Sequence, residues 1–174
     1  MLVLRCTQKL LKRVGPPIAD PPESTGALGD WYAQPLAVGR QRFVLLASER
    51  SRLPVLMPGR DVKNLAANFP KALERVLLSL GVPVVSLLRE LEAASDVVIA
   101  KTNSRSVLGT LNDFSFMLKW QWSDKPAPDL TEESLRLSRT PVGPLGPGWP
   151  DEVTLRLLGC DAPRFRGHGG SGTE

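Results

Sequence analysis

The chain has 174 residues, 42% of them hydrophobic, which suffices for one domain with a real core plus a tail, and no apolar run nears the ~20 residues a membrane helix needs. The only histidine is His168, in a Gly-rich C-terminal stretch, so residues 1–167 exclude a histidine-based catalytic relay and histidine-ligated zinc or iron. The net charge is +4, but residues 1–122 carry 16 Lys/Arg against 10 Asp/Glu and residues 123–174 carry 6 against 8, so a mildly basic body favours anionic partners.

The N-terminus lacks a basic leader before a long apolar stretch, so the expected location is cytoplasmic. Cys6 and Cys160 share no metal-like or redox-like spacing and read as two free thiols. No cofactor and no metal ligand set is implied.

Leu2–Cys6 reads as a strand, and Thr7 stands where it can cap a helix over Gln8–Val14. That helix carries Lys9, Lys12 and Arg13. Gly15 to Asp30 holds four prolines and three glycines and reads as a mobile loop. Trp31–Val38, Arg42–Ala47 and Leu53–Met57 read as three strands in an antiparallel meander. From Asp61 apolar residues recur at helical spacing as far as Leu80, with a break or kink expected at Pro70. Pro83 opens another helix, with Val84, Leu87, Leu88 and Leu91 inward. Val97-Val-Ile-Ala100 is continuously apolar and predicts a central strand. A long helix follows over about Ser104–Trp122, with Val107, Leu111, Phe114 and Leu118 on its core side.

From Ser123 the composition turns Pro/Gly-rich. The expected organisation is an α+β domain over 1–122, an arm with short helices over 123–166, and a disordered tail over 167–174. The domain is predicted as a small, mainly antiparallel sheet with helices against one face.

The densest polar stretch is the junction of the apolar strand with the long helix. A helix N-terminus presents free N–H groups and partial positive charge. Here it lies beside Lys101 and Arg105, with Thr102, Asn103, Ser104 and Ser106 as further donors, the ingredients of a phosphate or carboxylate site. The bland alternative is that Asn103 or Ser104 caps the helix while the cations stay solvated. Further along, Arg105, Gly109, Asn112 and Phe116 share one line, with Asp113 beside it. A glycine inside a helix suggests that something approaches closely there. Arg40 and Arg42, with Arg50 and Arg52, cluster around the meander's turns near Trp31 and Tyr32 and read as phosphate contacts or as strand-end protection.

Four separated blocks carry a resemblance. They are Leu-Arg-Cys-Thr-Gln-Lys-Leu-Leu near the start, Asp30-Trp-Tyr-Ala, Arg-Leu-Pro-Val-Leu-Met-Pro-Gly59, and Lys-Thr-Asn-Ser-Arg-Ser-Val-Leu-Gly-Thr-Leu-Asn-Asp-Phe114. In this order they resemble a bacterial family of unknown function over roughly residues 1–120. The Trp-x-Ala and Lys-Thr-x-x-Arg-Ser blocks are also distantly similar to the N-terminal part of a plasmid ORF-3-like family found on mobile elements. The resemblance implies no activity and transfers no catalytic residue.

Three functions remain open. The first is a non-catalytic binding module for an anionic partner, with nucleic acid the best match, contacted by Lys101, Arg105, Asn112 and Asp113. The second is a histidine-free enzyme on a phosphorylated or carboxylated small molecule, with Asp113 as base. The third is a protein-interaction or antitoxin-like subunit using the arm and Trp120, Trp122 and Trp149.

Overall fold

The structure, a computed structural model, describes residues 1–122, 128–146 and 148–160. His168 and the expected tail over 167–174 lie outside the described residues.

The fold is α+β. Five strands, β1 (Leu2–Cys6), β2 (Trp31–Val38), β3 (Gln41–Ser48), β4 (Pro54–Pro58) and β5 (Val97–Lys101), form one sheet in the order β4-β3-β2-β1-β5. The meander β2-β3-β4 is antiparallel, as its short connections require. β1 pairs in parallel with both β2 and β5, so the sheet is mixed, and its longest ladder is the antiparallel β2–β3 pair.

β5 is an edge strand rather than the central one, and Val97, Val98 and Ile99 are only half-buried. A continuous apolar run reports that both faces are partly covered; it does not report lateral position. The interior place belongs to β1, whose Leu2, Val3, Leu4 and Cys6 are buried. The outer edge of β5 is partly sealed by the 15–30 loop, where Ile18 N–H donates to the carbonyl of Ile99 at 2.9 Å. Far from hanging free, that loop is pinned along β1, with Thr25 N–H on the Met1 carbonyl at 2.9 Å and Val3 N–H on Ser24 Oγ at 2.8 Å.

Helices cover both faces, not one. Alternation along the strands builds two cores. On the first, Leu4, Trp31, Leu46 and Val55 meet α1 (Gln8–Val14), α2 (Leu65–Ser79) and α3 (Val84–Ala94), and Trp31 packs edge-on against Phe69 with ring centres 5.0 Å apart. On the second, Tyr32, Leu36, Phe43 and Leu45 meet α4 (Arg105–Trp122) through Val107, Leu111, Phe114 and Leu118.

α2 runs unbroken through Pro70. Pro70 sits early in the helix and removes only the bond to Ala66, and buried Leu65, Phe69 and Leu73 hold the turns on either side. The break falls earlier, at Asn64, between a 3-10 stretch over Gly59–Asn64 and α2. In α3 the inward residues are Leu87, Glu90, Ala93 and Ala94, whereas Val84 and Leu88 are 63% and 59% exposed. The helix is turned about its axis so that Glu90 reaches the 15–30 loop, where it accepts the N–H of Ala27.

The last two helices close the sheet's other edge. α5 (Leu130–Ser138) lies against β4, and its Ser134 Oγ accepts the N–H of Leu56 at 2.9 Å. α6 (Pro150–Leu157) is docked by Thr154, whose hydroxyl donates to buried Ser51 Oγ at 2.8 Å. Trp122 is buried edge-on against Phe43 with ring centres 5.1 Å apart, so it is no surface aromatic. No helix among the described residues is long and apolar enough to cross a membrane.

Candidate functional site

Register fixes what meets at the start of α4. Arg5 pairs with Tyr32 across β1 and β2 and with Ala100 across β1 and β5. Cys6 pairs with Lys101, the last residue of β5, and after three intervening residues α4 begins at Arg105. The bland half of the sequence reading holds for Ser104, which accepts the N–H of Val107 on its side chain at 3.3 Å and caps the helix. Lys101 and Arg105 are exposed.

Asn103 does something the sequence did not suggest. Its Oδ1 accepts the hydroxyl of Tyr32, which is fully buried. Burial pushes the Tyr32 phenol up to about 12, with Arg5 and Arg52 opposing that rise and Glu49 and Asp30 adding to it. The phenol therefore stays a neutral donor.

Arg5 is tied on two sides. Its Nε lies 2.6 Å from Asp30 Oδ2, and its Nη1 donates to the Lys101 carbonyl at 3.0 Å. Asp30 in turn accepts Ser24 Oγ at 2.7 Å. Arg5, Lys101, Thr102 and Asn103 line a cleft of about 740 Å³, closed on its far side by Pro17 to Pro21.

Arg52, in the β3–β4 turn, reaches the same corner from the other side. Its Nη2 donates to Ser106 Oγ in the first turn of α4 at 3.1 Å. The residue is 8% exposed, and Nε and Nη1 are buried with no acceptor. Burial lowers the guanidinium's pKa, with Glu49 and Tyr32 opposing.

Arg40 and Arg42 are not part of this corner. They sit at the β2–β3 turn, where Val38 pairs with Gln41, while Tyr32 pairs with Ala47 near the strands' other end. Arg42 Nη1 is spent locally on the carbonyls of Gly39 and Gln41, each at 3.1 Å.

The outward line of α4 is open. Arg105, Gly109, Asn112 and Asp113 are exposed, and a Cβ on Gly109 would meet no atom within 4 Å. Among the described residues, no other part of the chain makes the close approach expected at Gly109. One and two turns beyond Asn112 stand Phe116 and Trp120, 73% and 80% exposed. Asp113 does not line the cleft beside Arg5 and Lys101.

The family described as a domain of unknown function (DUF6933) matches residues 3–153. The chain belongs to the DUF6933 family. No curated protein and no solved structure matches it. The DUF6933 match takes in the whole sheet, the α4 junction and the start of α6, so it contains every residue of the corner just described.

Sequence reasoning missed the roles of Arg5, Tyr32 and Arg52 in this DUF6933 chain. For the first two a signal exists, since strand alternation puts Arg5 and Tyr32 on one face of neighbouring strands. For Arg52 there is none: nothing in Glu-Arg-Ser-Arg marks which arginine folds back beneath a helix 54 positions later.

Proposed function

We propose that this DUF6933 chain is a non-catalytic binding module for an anionic partner, and that the partner is nucleic acid presented as a single strand. The reading rests on one observation, the two exposed rings of Phe116 and Trp120 on the helix line that also carries Arg105 and Asn112. Exposed aromatics beside cations suit unpaired bases, because every base has a face to stack and a phosphate to neutralise. Arg105 and Lys119 supply positive charge along α4, Lys101 adds to it at the end of β5, and open Gly109 lets a backbone lie close to the helix. The basic body and the likeness of two blocks to a plasmid ORF-3-like family agree with it.

The test is a titration of the full chain with a single-stranded oligonucleotide at low salt, read by tryptophan fluorescence and by gel retention. Binding weakens steeply as salt rises, and Phe116→Ala and Trp120→Ala each weaken it by about 1–3 kcal/mol. Absence of retention even at low salt ends the proposal. The enzyme alternative gains no support, because its base, Asp113, stands on the open helix face rather than in a cleft.

A further inference from the structure

Arg52 is the one non-glycine residue with a left-handed backbone among the described residues, with φ at +60°. It is also buried, with Nε and Nη1 lacking any acceptor. Both features are unfavourable, and a fold keeps them where surrounding structure or a ligand compensates. Its guanidinium is aimed into the first turn of α4, with Nη2 on Ser106.

That turn is arranged to donate. Ser104 answers the N–H of Val107, while the N–H groups of Arg105 and Ser106 precede any carbonyl the helix can offer. Tyr32 occupies Asn103 Oδ1, which leaves the Asn103 amide nitrogen as a donor on an exposed side chain. Among the described residues no carboxylate forms an ion pair with Arg52; Glu49, the nearby charge that acts on it, accepts the N–H of Asp30 at 3.4 Å. The corner therefore gathers donors from three directions, while its side-chain acceptors, Asn103 Oδ1 and Ser106 Oγ, are already taken by Tyr32 and Arg52.

We propose that this corner is a site for one phosphoryl group, held where Arg52 meets the first turn of α4, with Asn103 and Ser106 as the side-chain donors. A tetrahedral oxyanion offers oxygens to all three directions, whereas a planar carboxylate serves two. Free phosphate and the terminal phosphate of a strand share this chemistry. The inference does not depend on the aromatic line of α4.

The experiment uses the full chain and inorganic phosphate against chloride at matched ionic strength, read by thermal midpoint and by isothermal titration. Arg52→Gly is the deciding variant, because glycine accepts the left-handed backbone and keeps the turn. Phosphate is expected to raise the wild-type midpoint, and Arg52→Gly to weaken phosphate binding by at least about tenfold. Asn103→Ala and Ser106→Ala weaken it less, and Trp120→Ala leaves it unchanged. No phosphate-dependent shift in the wild type, or an equal shift in Arg52→Gly, overturns the proposal. A 5′-phosphorylated oligonucleotide preferred by about tenfold over its 5′-hydroxyl twin assigns the site to strand ends. Equal binding of the two oligonucleotides, with inorganic phosphate still bound, assigns it to the free ion.

Discussion

The hydroxyl of Tyr32 donates to the side-chain oxygen of Asn103, joining the buried second strand to the turn from which α4 starts. Tyr32 is the chain's only tyrosine, so its titration is free of overlap. Burial is the main cause that raises its pKa to about 12. A free tyrosine ionises near ~10. Between those values the folded chain keeps a proton that the unfolded chain loses. Stability is therefore lost as pH rises through that window, by up to about 2–3 kcal/mol, and is flat with respect to this group below it. Phenolate absorbance should appear only near the upper value. Urea unfolding should show a steeper decline above pH ~10 in the wild type than in Tyr32→Phe. Matching slopes would show that the phenol is no more buried than in the unfolded chain.

α6 hangs on a three-hydroxyl chain. Ser48 and Ser51 are 2.7 Å apart, Thr154 donates to Ser51, and all three residues are fully buried. Thr154→Val keeps the shape and removes one donor, so Ser51 loses a partner in a place water does not reach. The expected cost is about 1–3 kcal/mol, or a fall of roughly 2–12 °C in thermal midpoint for a chain of this size. Thr154→Ser keeps the hydroxyl and should lose much less. The two variants compared by calorimetry separate the hydrogen bond from the packing.

Much of this architecture is legible in the residues alone. Hydrophobic period and capping signals placed the five strands and the helices α1, α3 and α4 near their observed bounds, because each buries a face of its own. What failed was non-local. β5 reads as central because Val97 to Ala100 are apolar, yet the pairing order puts β1 inside it. α3 reads as burying Val84 and Leu88, yet the pull of Glu90 onto Ala27 turns those residues outward. At the junction, Ser104 as cap follows from helix chemistry. The link of Asn103 to Tyr32 spans 71 positions and that of Arg52 to Ser106 spans 54, so no local pattern encodes either. The meander's four arginines look like one cluster in sequence, but antiparallel pairing sends Arg40 and Arg42 to one end and Arg50 and Arg52 to the other.

Two glycines should respond oppositely to alanine. A Cβ on Gly59 would sit 2.7 Å from both the Cβ and the carbonyl oxygen of Arg42, so backbone must move. Gly59→Ala is expected to destabilise by about 1–3 kcal/mol. Gly109 lies inside α4, exposed, with open space where a methyl would go. Gly109→Ala should stabilise by about 1 kcal/mol, the ordinary helix-propensity gain. Chemical denaturation of both variants checks the signs. A loss of stability in Gly109→Ala would mean that something does pack against that face of the helix.

Glu90 provides a pH test that runs opposite to the usual carboxylate. It is buried on α3, and Gly26 leaves it room: a Cβ there would come within 2.9 Å of Glu90 Oε2. Its Oε1 accepts Ala27 N–H at 2.5 Å, while Oε2 has no partner. Burial raises its pKa more than the N–H groups of Ala27 and Leu28 and the charge of Arg50 lower it. The folded chain thus holds this proton to higher pH than the unfolded chain, whose value is near ~4.3. Stability from Glu90 is full below that value and declines as pH rises through the folded one. Glu90→Gln keeps the shape and the acceptor for Ala27 while removing the charge. The variant should be at least as stable as the wild type at neutral pH, and its advantage should vanish under acid conditions. Urea unfolding across pH 4 to 8 reads the difference. A variant that loses stability mainly at neutral pH would mean that Arg50 and the two backbone donors outweigh burial and hold Glu90 ionised.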